Sequence, residues 1–209
     1  MRRILFLILI SIFSFACSQN KTAGYKDEVK ELQKFVDYTY KKDSTKVETY
    51  ARKSENGKIF RIKSNDILTE FNFEVSDVYS FLKINSKIVF IRKEPISQSG
   101  DSFYFYEYYF NENGRLIGAE KSVSTFYGED SDIIRYKVEY LLNSKTDKLE
   151  RVNEYYSDVD GKKIDPKLKK YKEAFGGAGL IENYIEYLDK ITFRDLEGFM
   201  RVEKIKYYK

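Results

Sequence analysis

The chain of 209 residues has no histidine, no tryptophan, only two prolines and a single cysteine, Cys17. Without imidazole or a second thiol, the sequence excludes Ser-His-Asp and Cys-His catalysis, histidine or thiolate metal sites, and disulfides within one chain. Any chemistry has to use carboxylates, tyrosine, lysine or serine, and stability has to come from packing. We therefore predict a non-catalytic protein that uses no metal and no cofactor.

The first residues have the pattern of a bacterial signal peptide. Arg2 and Arg3 supply positive charge, and the uncharged run ILFLILISIFSFA ends at Ala16. A helix of that length rises about 20 Å, which is too short to cross a hydrocarbon core about 30 Å thick. The pattern predicts that residues 1–16 are removed as a signal peptide.

Cys17 directly follows the apolar run and a small residue. This arrangement resembles the lipobox of bacterial lipoproteins, in the looser form found in spirochaetes. The resemblance implies cleavage between Ala16 and Cys17 and acylation of Cys17, with palmitate among the attached chains, so that the domain is anchored at the cell envelope outside the cytoplasm. The inner and the outer membrane both remain open as its location, and ordinary secretion is the alternative.

Charge and composition narrow the expected partners. When Arg2 and Arg3 leave with the signal, the net charge of +4 falls to about +2. Such a nearly neutral chain is not expected to bind nucleic acid. The expected partners are the membrane, through the lipid, and either an envelope protein or an apolar ligand.

Hydrophobic periodicity predicts the α+β class for a single domain over residues 25–209, after a lipidated polar tether at 17–24. Apolar residues at helical spacing over 25–40 predict an amphipathic helix packed on a sheet. From about residue 46 the period becomes two, which predicts about seven to nine antiparallel strands joined by short turns.

The C-terminal part returns to helical spacing. Residues 167–175 and 180–190, on either side of the sequence GGAG, predict two short helices with a glycine break. The alternation over 198–209 predicts a last strand that returns to the sheet.

A hairpin unit recurs inside the β region. EYYFNENGRLI (107–117) and EYYSDVDGKKI (154–164) match residue for residue at their key positions, and SENGKI (54–59) repeats the turn. The units resemble the degenerate Tyr-Tyr…Gly-Lys hairpin repeats related to variant MORN repeats of bacterial surface proteins. The resemblance implies a hairpin scaffold and no chemistry.

The turn sequences also predict strand register. A two-residue turn in the second hairpin would place Glu107 opposite Glu120, and like charges directly opposite are unfavourable. A three-residue loop with glycine in the left-handed position avoids that contact. The expected pairs are then Glu107 with Ala119, Phe105 with Lys121 and, in the first hairpin, Tyr50 with Ile62.

The strand over 103–110 is aromatic on both faces. It is either a central strand buried on both sides or a strand with one face open for binding. We expect the face with Phe103 and Phe105 to be core. Because each tyrosine hydroxyl can reach water, we expect the opposite face to be a ligand or partner surface. That surface consists of Tyr104, Tyr106 and Tyr108.

Carboxylates offer two further sites, both less favoured. Glu107, paired with Glu154 by the repeat, would serve a carboxylate-dependent hydrolase, which is the least favoured function. The sequence DVDG (158–161) suggests a calcium loop, but Tyr156 and Lys167 would then stand where carboxylates are required. We therefore interpret it as a turn, and YGEDSD (127–132) as a solvated acidic loop.

Together these features predict a membrane-anchored lipoprotein with a non-catalytic binding or structural role at the cell envelope. The main alternative is a lipoprotein that binds an apolar ligand in an aromatic-lined cavity.

Overall fold

The structure, a computed structural model, describes residues 24–62, 74–96, 102–127, 132–158, 160–165 and 191–206. The strands are β1 Glu48–Lys53, β2 Ile59–Ile62, β3 Val75–Ile84, β4 Lys87–Pro95, β5 Ser102–Phe110, β6 Leu116–Tyr127, β7 Asp132–Asn143, β8 Lys148–Ser157 and β9 Lys163–Ile164. Helix α1 covers residues 24–42, a 3-10 turn covers Ser44–Lys46, and helix α2 covers Leu196–Val202.

All nine strands belong to one antiparallel sheet in the order β2-β1-β3-β4-β5-β6-β7-β8-β9. The fold is therefore predominantly β, and the predicted α+β class was wrong. The sheet is antiparallel, as predicted, but the helices in the described residues form only a small part of the fold. The helices predicted at 167–175 and 180–190 lie outside the described residues, as do the signal peptide and Cys17.

The last element in the described residues is a helix, where the sequence predicted a strand over 198–209, so this prediction was also wrong. The Asp195 carboxylate accepts a hydrogen bond from the Gly198 backbone N–H at 2.7 Å and caps the start of α2. Leu196, Phe199 and Met200 then lie at helical spacing and pack on the sheet. The cap and this spacing outweigh the local alternation.

Helix α1 is amphipathic, as predicted. It buries Val29, Leu32 and Val36 against the sheet. Gly118 on β6 permits the close approach, because a Cβ atom there would lie 2.7 Å from Cγ2 of Val29. An alanine at this position would force the helix or the strand to shift.

The three-residue loop predicted for the second hairpin is confirmed, and the third hairpin has a loop of the same length. The Asn111 N–H donates to the Arg115 carbonyl at 3.0 Å, and Gly114 has φ of 75°. The Asp158 N–H donates to the Lys162 carbonyl at 3.0 Å in the same way, where Gly161 has φ of 81°. DVDG is thus a turn, as interpreted.

The predicted register of the second hairpin was nevertheless wrong. Phe110 pairs with Leu116, but Tyr109 pairs with Gly118, so Ile117 is an extra residue in a β-bulge. The bulge shifts the ladder by one residue beyond the turn. Glu107 consequently lies opposite Glu120, and Phe105 lies opposite Ser122.

The first hairpin has a longer loop than predicted. Lys53 donates its N–H to the Lys58 carbonyl at 3.0 Å, which leaves four residues in the loop. Tyr50 therefore pairs with Arg61 and not with Ile62.

Each face of the sheet carries its own hydrophobic cluster. The side covered by α1, here the α1 face, includes Leu82, Phe90 and Tyr109. The other side, here the α2 face, includes Tyr106, Tyr108 and the C-terminal residues Phe193 and Phe199. Neighbouring residues of one strand alternate between the two clusters because successive side chains point to opposite faces.

The expected exposure of the aromatic strand was reversed. Tyr106 and Tyr108 are 6% and 5% exposed, whereas Phe103 is 45% exposed. The Tyr108 ring packs against Phe193 and Phe199, with ring centroids 5.0 and 5.3 Å apart. The C-terminal segment therefore covers the face that was expected to be open.

Candidate functional site

A row of charged side chains crosses four neighbouring strands on the α1 face. Arg92 on β4 pairs with Glu107 on β5, Glu107 pairs with Glu120 on β6, and Glu120 pairs with Glu139 on β7. Directly paired residues project to the same side of a sheet, and neighbouring strands are about 4.8 Å apart. The bulge at Ile117 thus produces a row of three glutamates that begins beside an arginine.

The Arg92 end of the row is fully paired. Arg92 Nε donates to Glu107 Oε1 at 2.8 Å, and the Tyr109 hydroxyl donates to Glu107 Oε2 at 3.0 Å. The Arg92 guanidinium also lies 4.4 Å from the centroid of the Tyr40 ring on α1. Both oxygens of Glu107 are therefore engaged, and this carboxylate is held in place.

Glu120, the middle carboxylate, is 8% exposed. Burial and the neighbouring Glu107 charge raise the pKa of Glu120 to about 7, while Lys137 acts in the opposite direction. The Lys137 ammonium lies 2.7 Å from Glu120 Oε1. This carboxyl group consequently changes its charge near neutral pH.

The β7 end of the row has neutral partners only. Glu139 Oε2 accepts a hydrogen bond from Asn153 at 3.1 Å, and Arg135 donates through Nε to the Ser124 hydroxyl at 3.2 Å. Among the side chains that the structure describes, neither Arg135 nor Glu139 has a salt-bridge partner. The two groups thus keep their charges available to another molecule.

These side chains line a recess of about 470 Å³ between α1 and strands β4 to β7. The helix contributes Gln33, Val36 and Asp37, and the strands contribute Arg92, Phe105, Glu107, Tyr109, Glu120, Ser122, Arg135, Lys137 and Glu139. The volume falls in the range of small-molecule sites, about 300 to 1,000 Å³. With four acidic and three basic groups, the lining is close to electrically balanced.

The predicted ligand or partner surface lies elsewhere. Tyr106 and Tyr108 belong to the core of the α2 face, and Tyr104 packs partly buried against the same cluster. None of the three lines the recess. Tyr106 and Tyr108 are therefore buried where the alternation of the strand suggested an exposed surface, and Tyr104 is partly buried.

The hypothetical catalytic pair is not brought together. Glu107 points into the recess on the α1 face, whereas Glu154 pairs with the core residue Val138 and projects from the α2 face. The sheet separates the two carboxylates. The acidic loop YGEDSD lies mostly outside the described residues.

Sequence analysis missed Glu120, Arg135, Lys137 and Glu139 as members of one site. A signal was present on β7, where IIRYKVEYLL alternates charged and apolar residues over 135–139. Such alternation indicates one polar and one buried face. It does not indicate that the polar face forms a recess under a helix.

A second polar cluster lies on the α2 face, and we name it the Glu203 network. Glu203, just after α2, accepts from the Tyr79 hydroxyl at 2.8 Å and pairs with Lys93 at 2.8 Å and Arg52 at 3.0 Å. Burial and the nearby Glu203 and Asp77 charges raise the pKa of Tyr79. Because its members pair with one another, this cluster fastens α2 to the sheet.

A smaller cavity of about 290 Å³ lies at the end of β6 to β8 beside residues 191–194. Its floor includes Leu116, Tyr140 and Leu142, and its rim includes Arg115 and Asp147, which form an ion pair. Lys148 and Arg194 also line the cavity, and Arg194 lies 3.8 Å from Asp147, so its charged groups are mainly basic.

Over the described ranges, no helix has the length and apolar character that a membrane-spanning helix needs. The same ranges contain no cluster of three or more acidic residues suited to a metal ion. Comparisons with family models, with curated proteins and with solved structures gave no match to this chain.

Proposed function

We propose that the chain is a lipid-anchored protein of the bacterial cell envelope that binds a small polar ligand, without catalysis, in the recess beside α1. The incompletely paired charges of that recess carry the proposal. Burying ionised groups costs free energy, and apolar residues of similar size often serve stability equally well or better. Their presence under a helix therefore favours a role in binding.

The charged lining favours a polar ligand over the apolar ligand considered from the sequence. Seven of the twelve lining residues carry ionisable acidic or basic groups, and Phe105 supplies an aromatic surface among them. The free-energy cost of removing such groups from water is offset when a ligand supplies opposite charges and hydrogen bonds. An apolar ligand would leave them without that compensation.

A binding role is also favoured over hydrolysis. Glu107 has both oxygens engaged by Arg92 and Tyr109, so it lacks a free position for a reacting group. Its proposed catalytic partner Glu154 projects from the opposite face of the sheet. The two carboxylates that a hydrolase was expected to use therefore lie on different faces, and one of them is fully engaged.

The anchor is proposed from the sequence around Cys17. Six residues separate Cys17 from residue 24, the first described residue of α1. Even fully extended, they span only about 20 Å. The recess would then lie within a few tens of ångströms of the bilayer surface, so the ligand would be met close to the membrane.

Binding can be tested by a thermal-shift screen of the full-length protein in detergent against amino acids, short peptides, sugars, nucleotides and fatty acids. We expect a polar compound to raise the melting temperature, and we expect Ser122→Phe, which fills the recess, to abolish that shift. Ser54→Phe, the same change in the exposed β1–β2 turn, is the matched control and should retain it. Shifts that survive Ser122→Phe, or no polar ligand at all, would contradict the proposal.

Anchoring can be tested by metabolic labelling with a fatty-acid analogue in a bacterium that processes lipoproteins. Cys17→Ala should abolish the label, because the thiol is the proposed attachment point, while Ser18→Ala should remain labelled. Equal labelling of Cys17→Ala and the parent protein would show that the lipobox interpretation is wrong.

A further inference from the structure

Over 135–139 of β7, the charged side chains begin with cations and end with an anion. Arg135, Lys137 and Glu139 alternate along the strand, so all three side chains project to the α1 face. The Lys137 ammonium lies 2.7 Å from the Glu120 carboxyl group, which is its partner. A cation at one end and an anion at the other remain without charged partners among the described side chains.

The spacing of these two ends limits the size of a ligand that contacts both. Four residues along an antiparallel strand separate their Cα atoms by about 13 to 14 Å, and their side chains shorten the gap. A single amino acid, whose carboxylate and ammonium share one carbon, is too short to contact both groups. Two or three extended residues span about 7 to 11 Å.

Other groups of the recess suit a peptide. The Ser122 hydroxyl belongs to a residue that is 4% exposed, and it makes no hydrogen bond with any side chain described in the structure. It lies directly opposite Phe105, whose ring lines the recess. A hydroxyl beside an aromatic ring offers one contact for a peptide group and another for an apolar side chain.

The nearly balanced charge of the recess suits a zwitterionic ligand. Four carboxyl groups face three cations, and Glu120 is partly protonated near neutral pH. A ligand with one negative and one positive end therefore enters without creating an excess of either charge. A polyanion or a polycation would meet like charges at one end of the recess.

We propose that the recess binds a short peptide of two or three residues, with its carboxylate on Arg135 and its ammonium group on Glu139. The terminal nitrogens of Arg135 form the pair of donors that matches a carboxylate. The inference rests on the proposed function, since it names the ligand class of the same recess.

Isothermal titration of the full-length protein in detergent tests this orientation. The probes are the tripeptide Gly-Phe-Gly, its N-acetylated form, its C-terminal amide and free phenylalanine. We expect the unmodified tripeptide to bind and each of the other three to bind at least tenfold more weakly. Equal affinity for all four would overturn the proposal.

Two variants assign the ends of the peptide. Arg135→Gln should bind the tripeptide and its amide with equal affinity, because the carboxylate then has no charged partner. Glu139→Gln should bind the tripeptide and its acetylated form equally. Lys58→Gln, an exposed control in the β1–β2 turn, should behave as the parent protein, and unchanged discrimination in both recess variants would contradict the assignment.

The two proposals fail differently. If another polar compound binds and Ser122→Phe abolishes its binding, while no tripeptide binds, the peptide assignment is wrong and the binding function stands. If no compound of the screen binds, both are wrong.

Discussion

The two faces of the sheet are made by the same strands and differ in what covers them. On the α2 face, tyrosine and phenylalanine rings pack against Phe193 and Phe199, and the Glu203 network pairs its charged groups. On the α1 face, the packing under α1 gives way to charged residues that are only partly paired. The comparison indicates that the α2 face contributes more to stability through packing, whereas part of the α1 face is a charged recess.

The largest effect is expected from Phe199, which is 0% exposed and contacts Phe193 at a ring-centroid distance of 5.1 Å. Phe199→Ala should lower the free energy of unfolding by about 3 to 5 kcal/mol through lost burial and a cavity. Val202→Ala on the same helix, 51% exposed, should change it by less than about 0.5 kcal/mol. Urea denaturation of both variants measures the difference, and similar values would show that α2 does not cover a core.

A smaller loss is expected when the Glu203 network is broken. Glu203→Gln removes the charge that Arg52 and Lys93 share, and it should cost about 2 kcal/mol because those cations remain largely buried. The matched control is Glu197→Gln, whose ion pair with Arg201 is exposed and should contribute less than about 0.5 kcal/mol. If the denaturation midpoints of the two variants coincide, the network does not fasten α2.

On the α1 face, the expected effect depends on pH. The pKa of Glu120 is raised to about 7 from its ordinary value of 4.5. Protonation of Glu120 therefore stabilises the folded state, and this contribution is complete below about pH 4.5. This contribution is lost as the pH rises through 7, and we expect it to amount to about 1 to 3 kcal/mol.

Glu120→Gln cannot ionise, so its stability should fall less between pH 5 and 8 than that of the parent protein. Thermal denaturation across this range measures the slope, with the exposed Glu55→Gln as control. A slope identical in Glu120→Gln and the parent would show that Glu120 does not titrate in this range.

Local signals in the sequence were sufficient for the strands, for α1 and for the loop of the second hairpin. Alternation and turn glycines are short-range features, and Gly114 and Gly161 adopt the left-handed conformation that the three-residue loop requires. The register was not predictable from these signals. The bulge at Ile117 places Ile117 and Gly118 under α1, so its position depends on packing between distant segments.

The candidate site was hidden for the same physical reason. Its charged residues come from four strands and a helix. The sequence analysis rejected the pairing of Glu107 with Glu120 because like charges repel each other, yet this is the pairing in the structure. Arg92 and Lys137 offset that repulsion in the folded chain. Likewise, nothing local to Tyr106 and Tyr108 indicates that Phe193 and Phe199 will cover them.

The most direct test of the difference between the faces uses two residues of β5 whose expected exposure was reversed. Tyr108→Ala removes a ring that is 5% exposed on the α2 face, and Phe103→Ala removes one that is 45% exposed on the α1 face. Equilibrium denaturation in urea should give a loss of about 3 kcal/mol or more for Tyr108→Ala and less than about 1 kcal/mol for Phe103→Ala. Equal losses, or a larger loss for Phe103→Ala, would contradict the assignment of stability to the α2 face.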